Sequence, residues 1–573
     1  VRRSSGILVA VLAVGLGSGA AHGTTQLAVD LSSTVRPVTH VASGSLYGVL
    51  ETQPADVTAL IAPLHPNVFN NPAADVQQPI GDAIVVAGRL APIGARVSIR
   101  LADWFPSWPY AFTNMTDWLN KVGQTASRRK TANLTNIYAY EIWNEPDGTW
   151  KSQSVAFNDM WRQTYAQLKQ LEPDIKITGP SISYFNQSYL QSFLSYCKTN
   201  SCLPDIVGWH ELSGGNLTGN IQAYRNLETQ LGIGPLPITI NEYSGGADLT
   251  VEGQPGASAP LIAKFERLGV DSACISFWDV AHPGRLGSLL ASNTDPNGGW
   301  WFYKWYGDMA GNMVATTPPT PSSASALDGF ANLDSAGQKA SVLFGGANDG
   351  SVQVTIKGLQ AAPFFGSTVH VVVEHTPFVN RTTVVKATDT VSSADVAVTG
   401  SQIAVSVPGT NGTDGYRVTL TPVSSGAGGR GGTGGAGGGM SAGGTGGTGA
   451  GGAGGMSAGG RGGMGAAGRG GMGGGGRGGG GGATVASGGT SGSGTGGTAG
   501  DTGSGGQGVS STGGQSGSGG SMEKPPVTDM SGCSCHAAGG GSAEGWWSAF
   551  VASLLALGRC AASRRRRSIA SHK

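Results

Sequence analysis

Charge is scarce in this chain. Asp, Glu, Lys and Arg make up 12% of its 573 residues and nearly cancel, for a formal net charge of +1. No broad basic surface follows from that balance, so a nucleic-acid partner is not expected. Cysteine is scarce too, at six residues, and no Cys/His group has metal-ligand spacing. Neither a metal nor an organic cofactor is expected. Cys197 and Cys202 stand close enough to close a small disulfide loop, while Cys274 sits in an apolar run as a buried thiol would. A glycine-rich turn after the first apolar segment, Leu46-Tyr47-Gly48-Val49-Leu50, is also missing, which disfavours a doubly wound dinucleotide-binding sheet.

Glycine is what the chain has in excess: 99 residues, 52 of them within positions 421–520. That bias divides the sequence. Residues 424–522 are Gly/Ser/Thr/Ala of low complexity with nothing to bury, which predicts a disordered tether spanning about 50–60 Å root-mean-square. The two ends read as targeting signals. Arg2 and Arg3 precede the apolar stretch Ile7–Leu16 and small residues at 17–21, the pattern of a secretory signal peptide over 1–23. Residues 530–573 carry Cys533 and Cys535, then Trp546 through Leu557, then Arg564 to Arg567. That order reads as a short transmembrane sorting segment with its C-terminus in the cytoplasm. The apolar part falls short of the roughly 20 residues of a stable span, so transient sorting suits it better than permanent anchoring.

Between the ends lie two regions of ordinary composition. Apolar strand candidates at 46–50, 67–70, 96–101, 137–143, 175–179, 206–210, 238–241 and 273–278 alternate with helix-like stretches such as 157–171. Eight buried-type strands separated by helices predict a (β/α)8 TIM barrel over 24–320. Trp300, Trp301, Tyr303 and Trp305 read as a buried helix after the last strand. Over 321–423 the pattern turns to alternation: Val352, Val354 and Ile356, then Ile403–Val407, then Tyr416, Val418 and Leu420. Half-buried strands at short spacing predict a β-sandwich packed on the barrel.

Chemistry concentrates at two strand ends. Trp143-Asn144-Glu145-Pro146 closes the fourth strand, and Ile240-Asn241-Glu242-Tyr243 closes the seventh, with Glu242 ninety-seven positions after Glu145. In a barrel, residues at the carboxyl ends of strands line the active site. Two carboxylates facing each other there are what glycosidic hydrolysis requires, one to protonate the departing oxygen and one to attack the anomeric carbon. Asn144 stands ready to hydrogen-bond a sugar hydroxyl, and Tyr243 adjoins the second carboxylate. The loop Asp103-Trp104-Phe105-Pro106-Ser107-Trp108-Pro109-Tyr110 follows strand three, and Trp104 and Trp108 can stack on sugar faces. Glu141, earlier on strand four, reads as a buried ion-pair partner rather than a third acid. Glu211 is a further carboxylate, at the end of strand six.

These two Asn-Glu motifs, with the barrel and sandwich around them, resemble the clan A glycoside hydrolases, most closely family 39 and its relatives, over about 44–423. The resemblance implies Glu145 as acid/base, Glu242 as nucleophile, His210 as a strand-six pocket residue and Trp278 as an aromatic floor beneath the sugar. Clan members carry an arginine on strand two, where Asn67-Val68-Phe69-Asn70 offers asparagines. Residues 530–573 resemble the C-terminal sorting tags of myxobacterial surface proteins, which implies processing near Cys533 or Cys535 by a sorting protease and retention at the outer cell surface. The expected protein is a secreted, surface-held retaining glycosidase acting on a poly- or oligosaccharide. The rival reading is a non-catalytic surface adhesin that uses the same barrel to hold sugar.

Overall fold

The computed structural model describes residues 24–73, 81–152, 154–212, 215–245, 251–276 and 283–423. The expected signal peptide, the Gly-rich tether and the tail with Cys533 and Cys535 lie outside these residues. Among the described residues, no helix is long and apolar enough to cross a membrane.

After an opening strand, β1 (Thr25–Pro37), seven strands form one parallel sheet in sequence order: β2 (Val68–Pro72), β3 (Arg96–Arg100), β4 (Ile137–Glu141), β5 (Lys176–Ile182), β6 (Ile206–Glu211), β7 (Ile238–Tyr243) and β8 (Ser272–Ile275). Their residues are buried almost throughout, as strands covered on both faces must be. Segment 43–47 closes the ring, bridging Ile275 through Ser45 and Asn70 through Leu46. The barrel thus has its eighth strand slightly earlier than the apolar run 46–50 suggested. Tyr47, at φ 52°, turns the chain out of extended conformation and ends the strand there.

Outer helices cover the barrel with their apolar faces. Helix Phe157–Leu171 buries Phe157, Met160, Trp161 and Leu168 at helical spacing. Trp161 lies against β5 where Gly179 has no side chain, and a Cβ there would sit 2.3 Å from the indole ring. Helix Gly298–Gly307 buries Trp300, Tyr303 and Trp305, as expected, but leaves Trp301 half-buried.

The second domain is a single nine-stranded sheet. Its strands are β9 (Asn312–Thr317), β10 (Asp328–Asp334), β11 (Lys339–Gly345), β12 (Ser351–Lys357), β13 (Thr368–Thr376), β14 (Asp389–Ala397), β15 (Gln402–Pro408), β16 (Gly415–Pro422) and the N-terminal β1, in the order β14-β13-β16-β11-β10-β9-β1-β12-β15. One apolar core gathers side chains from both halves of this row, including Leu27, Val354, Val371, Val405 and Val418. The alternation at 352–356, 403–407 and 416–420 therefore reports a buried face. The expected barrel range 24–320 needs correction at both ends, because β1 pairs antiparallel with β9 and parallel with β12, and β9 (Asn312–Thr317) itself belongs to this second sheet. Leu27, Val29 and Leu31 alternate into this core, and burial of those three side chains holds the strand there.

The two domains meet through helix Pro255–Arg267. Lys264 and Arg267 both reach Asp328 on β10, at 3.0 and 2.6 Å, and Arg36 of β1 reaches Glu266 at 2.6 Å. Cys197 and Cys202 differ from expectation: both are buried free thiols, beside each other at the end of helix Gln187–Thr199. Cys274 is a buried thiol, as read.

Candidate active site

Beyond β4 the backbone does something unusual at Glu145. Its φ is 53°, the left-handed region that a β-carbon disfavours. Two anchors hold it there. The Glu145 N–H donates to Ser181 O of β5 at 2.8 Å, and its C=O accepts from the N–H groups of Gly148 and Thr149 in the helical turn Pro146–Thr149. Pro146 occupies the first position of that turn, where its missing N–H and fixed φ cost nothing. The side chain is consequently delivered at the carboxyl end of β4. Glu242 arrives from β7, in register with His210 of β6.

These three side chains converge. His210 Nδ1 lies 3.3 Å from Glu145 Oε1 and 3.5 Å from Glu242 Oε2, and one ligand-capable atom from each of the three lies within 4.8 Å of the others. His210 is wholly buried, which works against its imidazolium, but the carboxylates of Glu242 and Glu145 outweigh that and raise its pKa.

Arg100, at the end of β3, is the cation that balances the cluster. Its Nη1 donates to Glu242 Oε1 at 2.8 Å, and its Nε lies 3.2 Å from Glu141 Oε1. Burial opposes its charge, yet Glu141, Tyr47 and Glu242 together hold its pKa well above the ordinary value. Glu141 also accepts from Asn70 and from Asn241, the latter at 2.8 Å. It is thus a buried ion-pair partner, as its position on the strand suggested. The guanidinium missing from strand two is supplied here by strand three.

The loop after β3 contributes more than stacking surfaces. Trp108 donates its indole N–H to Glu145 Oε2 at 3.0 Å. Asp103 is buried and accepts from two phenols, Tyr47 at 2.6 Å and Tyr110 at 3.0 Å. Burial pushes its pKa up to about 7 even though Arg100 and both hydroxyls favour the carboxylate. Asn144 Nδ2 donates to Tyr110 at 3.1 Å, while its buried Oδ1 has no hydrogen-bond partner.

The structure thus brings together Glu145, Glu242, His210 and Trp108, and holds Asn144 beside them through Tyr110. It turns two other sequence candidates away. Tyr243 points behind β7, its hydroxyl bonded to Ala42 O and Tyr303, because consecutive strand residues face opposite sides. Trp104 bonds Thr125 of helix Met115–Ala132 at 2.7 Å. Trp278 lies outside the described residues. Glu211 accepts from Trp209 and Asn220, both at 2.8 Å, and makes no contact with the two central carboxylates. Sequence reading missed Arg100 and Tyr47 and had Asp103 and Tyr110 only as members of the aromatic loop; the signal for Arg100 was a charge closing an apolar strand.

Glu145, His210 and Glu242 offer enough donors for a cation among the described residues. The Arg100 guanidinium, already 2.8 Å from Glu242, fills part of that role and disfavours a second positive charge beside it.

The fold, a TIM barrel joined to a second, sheet-rich domain, is one seen in glycoside hydrolases. A family 39 glycoside hydrolase from Xanthomonas axonopodis pv. citri superposes with a TM-score of 0.52 over 72% of this chain and 100% of that one, at 16% identity. A closer match defines the family: N2152 from Neocallimastix frontalis is 47% identical, with a TM-score of 0.68 over 70% of this chain and 100% of that one. The chain belongs to the same family as N2152. Two curated relatives are more distant. A 3-O-beta-L-arabinopyranosyl-alpha-L-arabinofuranosidase from Bifidobacterium pseudocatenulatum is 26% identical over 72% of this chain and 50% of its own length. A 3-O-alpha-D-galactosyl-alpha-L-arabinofuranosidase from Bifidobacterium longum subsp. longum is 27% identical over 72% of this chain and 42% of its own. The chain therefore spans half or less of the curated relatives it matches. No family model matches the sequence.

Proposed function

We propose that this protein is a retaining glycoside hydrolase that cleaves O-glycosyl bonds of a poly- or oligosaccharide by double displacement. One observation carries the reading: carboxylate oxygens of Glu145 and Glu242, from opposite strands of one barrel mouth, lie within 4.8 Å of each other. Retaining enzymes need about 5–5.5 Å between their carboxyl groups, whereas inverting enzymes leave about 6.5–9.5 Å for a water. Glu242, with one oxygen held by Arg100, attacks the anomeric carbon through the other. Glu145 protonates the departing oxygen, then takes a proton from the water that releases the sugar. His210 lies against both carboxylates, and Asn144 immediately precedes Glu145 in the chain. Both curated relatives act on 3-O-substituted alpha-L-arabinofuranosides, which makes α-L-arabinofuranosides the first substrate class to test.

A 2-deoxy-2-fluoro glycoside of the accepted sugar should label Glu242 covalently, read by peptide mass spectrometry. Sugar binding without any label would favour the adhesin instead. Glu242→Ala should lose turnover and regain it with azide, giving a glycosyl azide of inverted configuration.

The same reading extends to location: secretion, followed by retention at the outer cell surface. It is supported by residues 1–23 and by the Cys533/Cys535, apolar and Arg order of the tail. Surface proteolysis of intact cells should remove the activity; activity that survives in the cell interior would contradict the assignment.

A further inference from the structure

A buried row of hydrogen bonds joins the groups that hold the two central carboxylates. Arg100 Nη1 donates to Glu242 at 2.8 Å and to the Tyr47 hydroxyl at 3.0 Å. Tyr47 donates to Asp103 Oδ2 at 2.6 Å, and Tyr110 donates to Asp103 Oδ1 at 3.0 Å. Tyr110 in turn accepts from Asn144 Nδ2 at 3.1 Å, one residue before Glu145. The row runs from barrel strand seven across strands three and one to the end of strand four.

With Asp103 in its ionised form, which it takes above about pH 7, chemistry fixes every direction in it. A guanidinium can only donate and an ionised carboxylate can only accept, so each phenol commits its single proton to Asp103. Each phenol then presents lone pairs outward, one set to Arg100 and the other to Asn144. The Asn144 amide must therefore turn its NH2 towards Tyr110, which leaves Oδ1 as its unpaired acceptor. Asp103 touches neither central carboxylate, yet its two oxygens set the orientation of a neighbour of each.

We propose that Asp103 is a positioning residue that aligns Arg100 with the nucleophile and Asn144 with the acid/base at the same time. This rests on the hydrolytic reading above. A substrate-positioning error of about 1 Å can cost about 100-fold in rate, so the effect belongs in kcat. Asparagine at 103 keeps the shape but offers one acceptor and one donor, so only one phenol can remain as it is.

The experiment compares wild type, Asp103→Asn, Tyr47→Phe, Tyr110→Phe and the triple variant on a panel of 4-nitrophenyl glycosides, using the full chain. Thermal unfolding and size-exclusion chromatography check each fold. Asp103→Asn should lower kcat by about 10- to 100-fold with KM within about three-fold. The triple variant should be no more than about two-fold worse than Asp103→Asn, because all three act through one row. Wild-type kcat in Asp103→Asn overturns the proposal, as does a triple loss equal to the product of the single losses. If Asp103→Asn does not fold, the two Phe variants decide: each should lose about 10-fold in kcat, and wild-type kcat in both overturns the proposal. A wild type inactive on the whole panel overturns this proposal together with the hydrolytic reading; an active wild type with an unaffected Asp103→Asn overturns this proposal alone.

Discussion

Trp108 illustrates how a single side chain in this site can serve two purposes. Its ring is a candidate stacking surface, while its N–H holds Glu145 Oε2 at 3.0 Å. Trp108→Phe keeps the first and removes the second. We expect kcat to fall about ten-fold on glycosides with a poorly departing alcohol and much less on a dinitrophenyl glycoside, whose leaving group needs little proton donation. Steady-state kinetics on the two substrate types reads the difference; equal losses would mean that the bond does not serve proton transfer. The pattern of what the sequence disclosed follows from how these residues act. Glu145 and Glu242 stand in short local motifs at strand ends, so their chemistry is legible along the chain. Arg100, Asp103, Tyr47 and Tyr110 matter only through contacts between residues far apart in sequence, and nothing beside them in the chain announces those partners. Tyr243 misled for a related reason: adjacency to Glu242 along a strand means pointing the opposite way.

At the scale of single elements, the contact of Gly179 with the Trp161 ring makes a sharp prediction. Gly179→Ala would place a Cβ 2.3 Å from the indole, and overpacking of this kind typically costs about 1–3 kcal/mol. A lowered Tm with unchanged KM is expected; an unchanged Tm would mean that the helix shifts freely on β5. A second prediction concerns β13. His375 Nε2 meets Asp414 Oδ2 at 2.8 Å, which raises the His375 pKa, and Asp414 is held below its usual value because the bonds from His375 and its neighbours outweigh the opposing effect of burial. The His375 contribution is complete below about pH 6.5 and fades as pH rises through its raised folded value. The Asp414 contribution is complete above about pH 4 and fades as pH falls through its lowered one. Wild type should therefore lose Tm above pH 6.5 more steeply than His375→Ala, a difference that thermal scans across pH 5–9 would detect. Elements of this kind were mostly readable, because burial on one face forces period-two alternation. β1 carries the same signal in Leu27, Val29 and Leu31, but its partners β9 and β12 are remote, so no local pattern could assign it to the second sheet.

Taken whole, the molecule does not divide where its sequence pattern changes. β1 lies between β9 and β12, and Arg36 at its far end reaches Glu266 on a barrel helix at 2.6 Å. A fragment starting at Val38 would leave two strand edges of the nine-stranded sheet unpaired, and such edges are templates for aggregation. We expect fragment 38–423 to elute as aggregates while 24–423 elutes as a discrete species with one cooperative transition; equal behaviour of the two would show β1 to be dispensable. The position of β1 also imposes an order in time. During synthesis β1 emerges well before its neighbours, which do not exist until Asn312–Thr317 and Ser351–Lys357 have followed. All the barrel strands are made in the interval. The nascent chain must therefore carry an unpaired apolar strand until Ser351–Lys357 has been made, and the second sheet can be completed only after the barrel sequence has been synthesised.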